Sequence, residues 1–115
     1  MTILIVEDKI QIQEILTELL ENEYHIITTN SGLDAIEILK IIQINLIITD
    51  MGIDDISGWQ LIEKIRETNK EIKILATSTE LPFLELALKL GANDYFLKNS
   101  SLQSIKEKIS QLLSN

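Results

Sequence analysis

Five short apolar runs punctuate this chain, and each is followed by a longer segment with a different rhythm. The runs Ile3–Val6, His25–Thr29, Leu46–Thr49, Ile72–Thr77 and Tyr95–Leu97 are brief and mostly rich in isoleucine, as strands covered on both faces tend to be. The segments between them carry apolar residues three to four positions apart. These are Ile12, Ile15/Leu16 and Leu19/Leu20, then Ile36 and Leu39, then Leu61/Ile62 and Ile65. Leu84, Ala87 and Leu88 continue the pattern, and Leu102, Ile105, Ile109 and Leu112/Leu113 complete it. Ser31 and Ser57 stand where helices should begin, and Gly91 where one should stop. Strand and helix thus alternate five times. The pattern predicts one α/β domain over residues 1–115, a doubly wound five-stranded parallel sheet with helices on both faces.

Such sheets place their sites at the carboxyl ends of strands, near the point where strand order reverses. The first run, "ILIVED", leads into Glu7 and Asp8, and the third, "LIITD", closes on Asp50. If those strands are neighbours, three carboxylates meet at one edge and resist ionising together unless positive charge sits between them. A hard divalent cation with oxygen ligands answers that need, and Mg²⁺ takes one or two carboxylates plus waters and a phosphate oxygen. The fourth run ends at Thr77 and Ser78, and the fifth at Lys98. A hydroxyl and an ammonium beside a metal-bound carboxylate suit the charge of a transferred phosphoryl group. Asp54 and Asp55 read as solvated loop residues.

Composition narrows the partners. The chain has 10 basic against 18 acidic residues, a net charge of −8, which argues against direct nucleic-acid binding because phosphates need clustered Lys and Arg. It contains no cysteine, so disulfides and thiolate chemistry are excluded. No apolar run is long enough to span a bilayer, and "MTILIVED" has no basic leader, so a soluble cytoplasmic protein with no membrane partner is expected.

Taken in order, "ILIVED", "LIITDMGIDDISG" with its Gly58, "ILATS" and "GANDYFLK" resemble the receiver domains of two-component response regulators, in their single-domain, CheY-like form. The resemblance covers essentially the whole chain and implies a flavodoxin-like (βα)5 fold. It implies that Asp50 is the phosphoacceptor and that Asp8 ligates Mg²⁺ directly. Glu7 would act through water, and Gly52 through its backbone carbonyl. It implies that Lys98 pairs with the phosphoryl oxygens and that a hydroxyl, Ser78 or alternatively Thr77, hydrogen-bonds one of them. Tyr95 matches the aromatic switch whose ring turns inward on activation. Gly52 and Glu80 stand where the family tunes loss of the phosphoryl group, and Gly52 offers no shield against water, which implies a phospho-Asp50 that is not especially long-lived. The sequence departs from the family at Asp54 and Asn99, where proline is frequent. The second change removes an expected cis peptide bond.

The function implied is a signalling switch rather than a metabolic enzyme. Asp50 takes a phosphoryl group from a phosphohistidine of a histidine kinase or phosphotransfer protein. A face around the fourth helix, fifth strand and fifth helix then changes its preference for a downstream protein target. Phe83, Leu86 and Leu90 form a second apolar stripe on the fourth helix, which reads equally as a widely buried helix or as that partner face. Ile10 either touches the phosphodonor or begins the first helix. His25 reads as a partly exposed structural residue. The competing readings are an adaptor that binds its partner without phosphorylation and, last, a small metal-dependent phosphohydrolase.

Overall fold

The isoleucine-rich runs form the centre of the molecule. The structure is a computed structural model that describes residues 1–114. Asn115, the last residue of the expected domain range, lies outside them. The chain runs β1 Thr2–Val6, α1 Ile10–Leu20, β2 His25–Thr29, α2 Gly32–Ile41, β3 Leu46–Asp50, α3 Gly58–Thr68, β4 Lys73–Ser78, α4 Leu81–Leu90, β5 Asp94–Leu97 and α5 Leu102–Leu113. The strands form one five-stranded parallel sheet in the order β2-β1-β3-β4-β5. The order reverses beside β1, so β1 and β3 lie side by side with Val6 opposite Thr49.

Alternation along each strand divides the core. Leu4, Val6, Ile47, Ile74 and Ala76 face α2, α3 and α4, where Ala35, Leu61, Ile62, Leu84 and Ala87 meet them. Ile3, Ile5, Ile48, Leu75 and Phe96 face α1 and α5, against Leu16, Leu20, Ile105 and Ile109. Fully burying one such Leu or Ile side chain stabilises the fold by about 1.5–3 kcal/mol. Among the described residues no helix is long and apolar enough to cross a membrane.

Strand starts shift by one residue: β1 opens at Thr2 and β5 at Asp94. Ile72 precedes β4 rather than opening it, because its N–H is taken by the Asn69 side chain in a turn at 3.0 Å. Ser78, one of the two ends the sequence offered for the fourth strand, closes β4, and its carbonyl accepts from Lys98 N–H at 3.0 Å. Ile15, Leu88 and Leu102, read as core positions, are exposed: Ile15 and Leu88 lie at the flank of their helices' apolar arcs, and Leu102 is the first residue of α5, at the helix end. Ile10 is exposed and begins α1, and His25 is exposed on the edge strand β2.

Caps follow the sequence closely. Ser31 accepts from Asp34 N–H at the start of α2, and Ser57 forms a reciprocal pair with Gln60 at the start of α3. Ser101 caps α5 in the same way. Gly91 ends α4 with φ 122°, a left-handed conformation that favours glycine. There is no cis peptide bond among the described residues, including at Asn99.

Candidate functional site: an acidic cavity at the carboxyl edge of the sheet

Because β1 and β3 are neighbours, their carboxyl ends bring Glu7, Asp8 and Asp50 together, with one carboxylate oxygen from each lying within 4.8 Å of the others. Glu7 is 1% exposed and Asp50 7%, so two of the three acids are buried. Lys98, one residue beyond β5, reaches across β4 to both. Its Nζ lies 3.0 and 3.2 Å from the two Glu7 carboxylate oxygens and 3.2 Å from Asp50 Oδ2. Lys9 N–H also donates to Glu7, and Gly52 N–H to Asp50 Oδ1 at 3.3 Å.

The electrostatics follow from that crowding. Burial pushes the Glu7 carboxyl above its ordinary pKa of 4.5, and the neighbouring Asp50 adds to the rise, while the bond from Lys98 opposes it. Burial alone would lower Lys98, but its bond to Glu7 and the charges of Asp50 and Glu7 outweigh this and hold its ammonium above 10.5. Three carboxylates share one ammonium, and they offer hard oxygen donors at one spot. The cluster could hold a metal ion, and its donor chemistry fits a small divalent cation.

The two hydroxyls at the end of β4 point to opposite sides. Ser78 lines the cavity with Asp8, Asp50, Gly52 and Lys98, and its Oγ accepts from Glu80 N–H at 3.1 Å. Thr77 pairs with Asp50 in the sheet but lines a small apolar pocket between α1 and α5, where its Oγ1 is buried without a hydrogen-bond partner.

A family model for the response regulator receiver domain matches residues 3–110. The chain belongs to this family. As a receiver domain it is 31% identical to the two-component response regulator ARR7 of Arabidopsis thaliana, across 96% of this chain and 61% of that protein. It is 29% identical to a chemotaxis protein CheY homolog of Campylobacter jejuni, across 98% of this chain and 92% of that protein. The receiver domain of the Saccharomyces cerevisiae response regulator Ssk1, solved with the histidine phosphotransfer signalling protein Ypd1, superposes with a TM-score of 0.90 at 26% identity, covering 99% of this chain and 89% of that one. The chain spans 61% of the length of ARR7 and 51% of that of the transcriptional regulatory protein CusR of Escherichia coli, to which it is 32% identical.

The receiver fold brings together Glu7, Asp8, Asp50, Gly52, Ser78, Glu80 and Lys98 as the sequence suggested. It leaves Tyr95 outside the cavity lining, half-buried against the α2–α4 side of the core, with Lys108 Nζ 5.7 Å from its ring centroid. The apolar stripe on α4 divides: Phe83 and Leu86 are exposed, whereas Leu90 is half-buried against the core. Phe83 meets Trp59 at the cavity rim, with ring centroids 5.8 Å apart.

Gly58 has a steric reason. A Cβ there would sit 2.5 Å from Met51 Cα and 2.6 Å from Asp50 O, so only glycine lets α3 begin against the end of β3. Two residues escaped sequence reasoning. The Gln13 side chain donates to the Glu7 and Thr29 carbonyls, fastening the ends of β1 and β2. Asp55, expected to be merely solvated, instead accepts from the Ser31 hydroxyl and from the N–H groups of Gly32, Leu33 and Ile56. Those bonds, the Ser31 hydroxyl's foremost, hold its carboxyl well below the usual carboxylate range.

Proposed function

We propose that this chain is a cytoplasmic, Mg²⁺-dependent phosphoryl-accepting switch whose acceptor is Asp50. The observation that carries the reading is the bridge from Lys98 to both Asp50 and Glu7 beside Asp8, at the switch point of the sheet. An Asp50 carboxylate oxygen attacks the phosphorus of a phosphohistidine protonated on its other ring nitrogen, the phosphorus–nitrogen bond breaks with its electron pair going to nitrogen, and the donor leaves as neutral imidazole that keeps that proton. Lys98 offsets charge on the phosphoryl oxygens, and the Ser78 hydroxyl, on the same cavity, donates to one of them. Asp8 and Asp50, with Glu7 through water and the Gly52 carbonyl, would hold the cation. Bound there, it supplies a further positive charge to the phosphoryl oxygens.

The donor is a histidine kinase or a histidine phosphotransfer protein, a reading supported by the likeness to a receiver domain solved with such a protein. Phosphorylation shifts the population of two states, with Ser78 and Tyr95 as the moving groups. The exposed Phe83 and Leu86 then present a changed face to a downstream protein target. Gly52 leaves open space beside Asp50, where an added Cβ would meet only the Asp50 oxygens at 3.9 and 4.0 Å. Water therefore has access, and phospho-Asp50 is short-lived.

Intact-protein mass after incubation with acetyl phosphate and Mg²⁺ tests this. One added phosphoryl group is expected, absent in Asp50→Asn and without metal, and decaying well within hours. No adduct in the wild-type protein would instead favour constitutive partner binding.

A further inference from the structure

We infer that Asp55 is a positioning residue for the acidic site: by closing the first turn of α2 onto the β3–α3 loop, it fixes the segment Met51–Ile53 beside Asp50. The inference rests on the reading of the Asp50 cluster as a cation and phosphoryl site.

A helix begins with backbone N–H groups that have no partner inside the helix. In α2 the cap residue Ser31 serves Asp34 N–H, and the two donors before it, Gly32 and Leu33, both go to Asp55 at 3.0 Å. The Ser31 hydroxyl itself donates to Asp55 at 2.6 Å. The anion that completes this helix start thus comes from another element, and the positive end of the helix favours it further. Ile56 N–H donates to the same carboxylate at 2.9 Å, which turns the loop towards the helix.

Beneath these bonds the two segments touch. A Cβ on Gly32 would lie 2.6 Å from Ile56 Cγ1 and 3.0 Å from Ile53 Cδ1, so glycine allows the helix to seat directly on the loop. The loop is then held at its start by Met51 N–H to Thr77 O, 3.0 Å, and at its end by Gly58 N–H to Met51 O, 3.1 Å. Asp55, Ile53 and Ile56 hold its middle. Gly52 lies between the first and middle anchors, exposed and without a side chain of its own to pack. Its neighbours therefore decide where its carbonyl lies. The one proline of the chain is Pro82, in the first turn of α4, so no ring stiffens this loop.

Binding of Mn²⁺ alone, with the free ion counted by electron paramagnetic resonance, tests the inference on wild type, Asp55→Ala, Asp55→Asn and Ser31→Ala. Unfolding midpoints are measured alongside. Ile109→Val, in the α1/α5 core far from the loop, supplies a comparable loss of stability without touching it. Asp55→Ala is expected to weaken Mn²⁺ binding about tenfold. Asp55→Asn, which keeps one acceptor oxygen, and Ser31→Ala, which removes one donor, should lose less, and Ile109→Val nothing. Should Asp55→Ala not fold, the two milder variants carry the comparison. Wild-type affinity in the Asp55 and Ser31 variants, whatever their stability, would reduce Asp55 to a helix cap and overturn the inference. A wild-type protein that binds no Mn²⁺ would overturn the site reading itself.

Discussion

On one side of Asp50 the chain from Met51 to Gly58 is fastened at both ends and in its middle; on the other, the step from β4 into α4 is lightly held. There the Glu80 N–H donates to Ser78 Oγ, Thr79 and Glu80 are exposed, and α4 begins without a side-chain cap. Helices α2, α3 and α5 each begin on a serine that accepts a backbone bond. The two helices without a side-chain cap, α1 and α4, are the ones whose cap positions, Lys9 and Glu80, line the acidic cavity. Constraint is concentrated on the loop beside Asp50, and freedom is left just beyond Ser78. In the proposed switch, the Ser78 hydroxyl would approach a newly arrived anion, and a segment of low local stability suits that task.

Substitutions on the two sides sharpen that contrast. The fastened side gives the largest effect. Gly58→Ala drives a methyl into Met51 Cα and Asp50 O and should cost about 3 kcal/mol in urea denaturation, whereas Gly52→Ala, in open space, should stay within about 0.5 kcal/mol. Equal costs would mean that the loop yields easily and the contrast is wrong. Next come the neighbouring hydroxyls at the end of β4. Thr77→Val replaces a buried, unpartnered hydroxyl and should raise stability by up to about 1 kcal/mol without altering the rate of phosphoryl uptake, while Ser78→Ala should slow that uptake. The reverse result would hand the role to Thr77. The smallest change is expected at the loose step itself. Glu80→Ser supplies the missing cap of α4 and should stabilise the protein by about 0.5–1 kcal/mol, read as a higher thermal midpoint. An unmoved midpoint would show that the start of α4 is already satisfied.

The fold was legible because burial on both faces writes strands as isoleucine-rich runs, and helices repeat at their own period. The acidic site was legible for a related reason: Glu7, Asp8, Asp50 and Lys98 each follow directly on a strand end or form it, so strand order alone gathers them. Asp55 was not legible, since its partners lie some two dozen residues earlier and local spacing says nothing of them. The exposure of Leu88 and Ile15 was hidden likewise, because helical spacing gives a face but not the width of the neighbour that covers it. The choice between Thr77 and Ser78 turns on strand alternation, which a single-residue shift in the start of β4 reverses.

The far end of α4 is clamped as firmly as its start is free. The Arg66 guanidinium of α3 donates to Gly91 O and to Asn93 Oδ1, each at 3.0 Å, and the same Asn93 oxygen accepts from Ile74 N–H in β4. Leu84 and Ala87 seat the helix on the sheet, so any tilt about this clamp would be largest at the first turn. Ten residues of helix make a lever about 15 Å long, so a tilt of about 10° at Gly91 moves the first turn by roughly 2.6 Å. That is close to the reach of one hydrogen bond, delivered at Ser78, Glu80 and the Phe83–Trp59 contact, while the pivot hardly stirs.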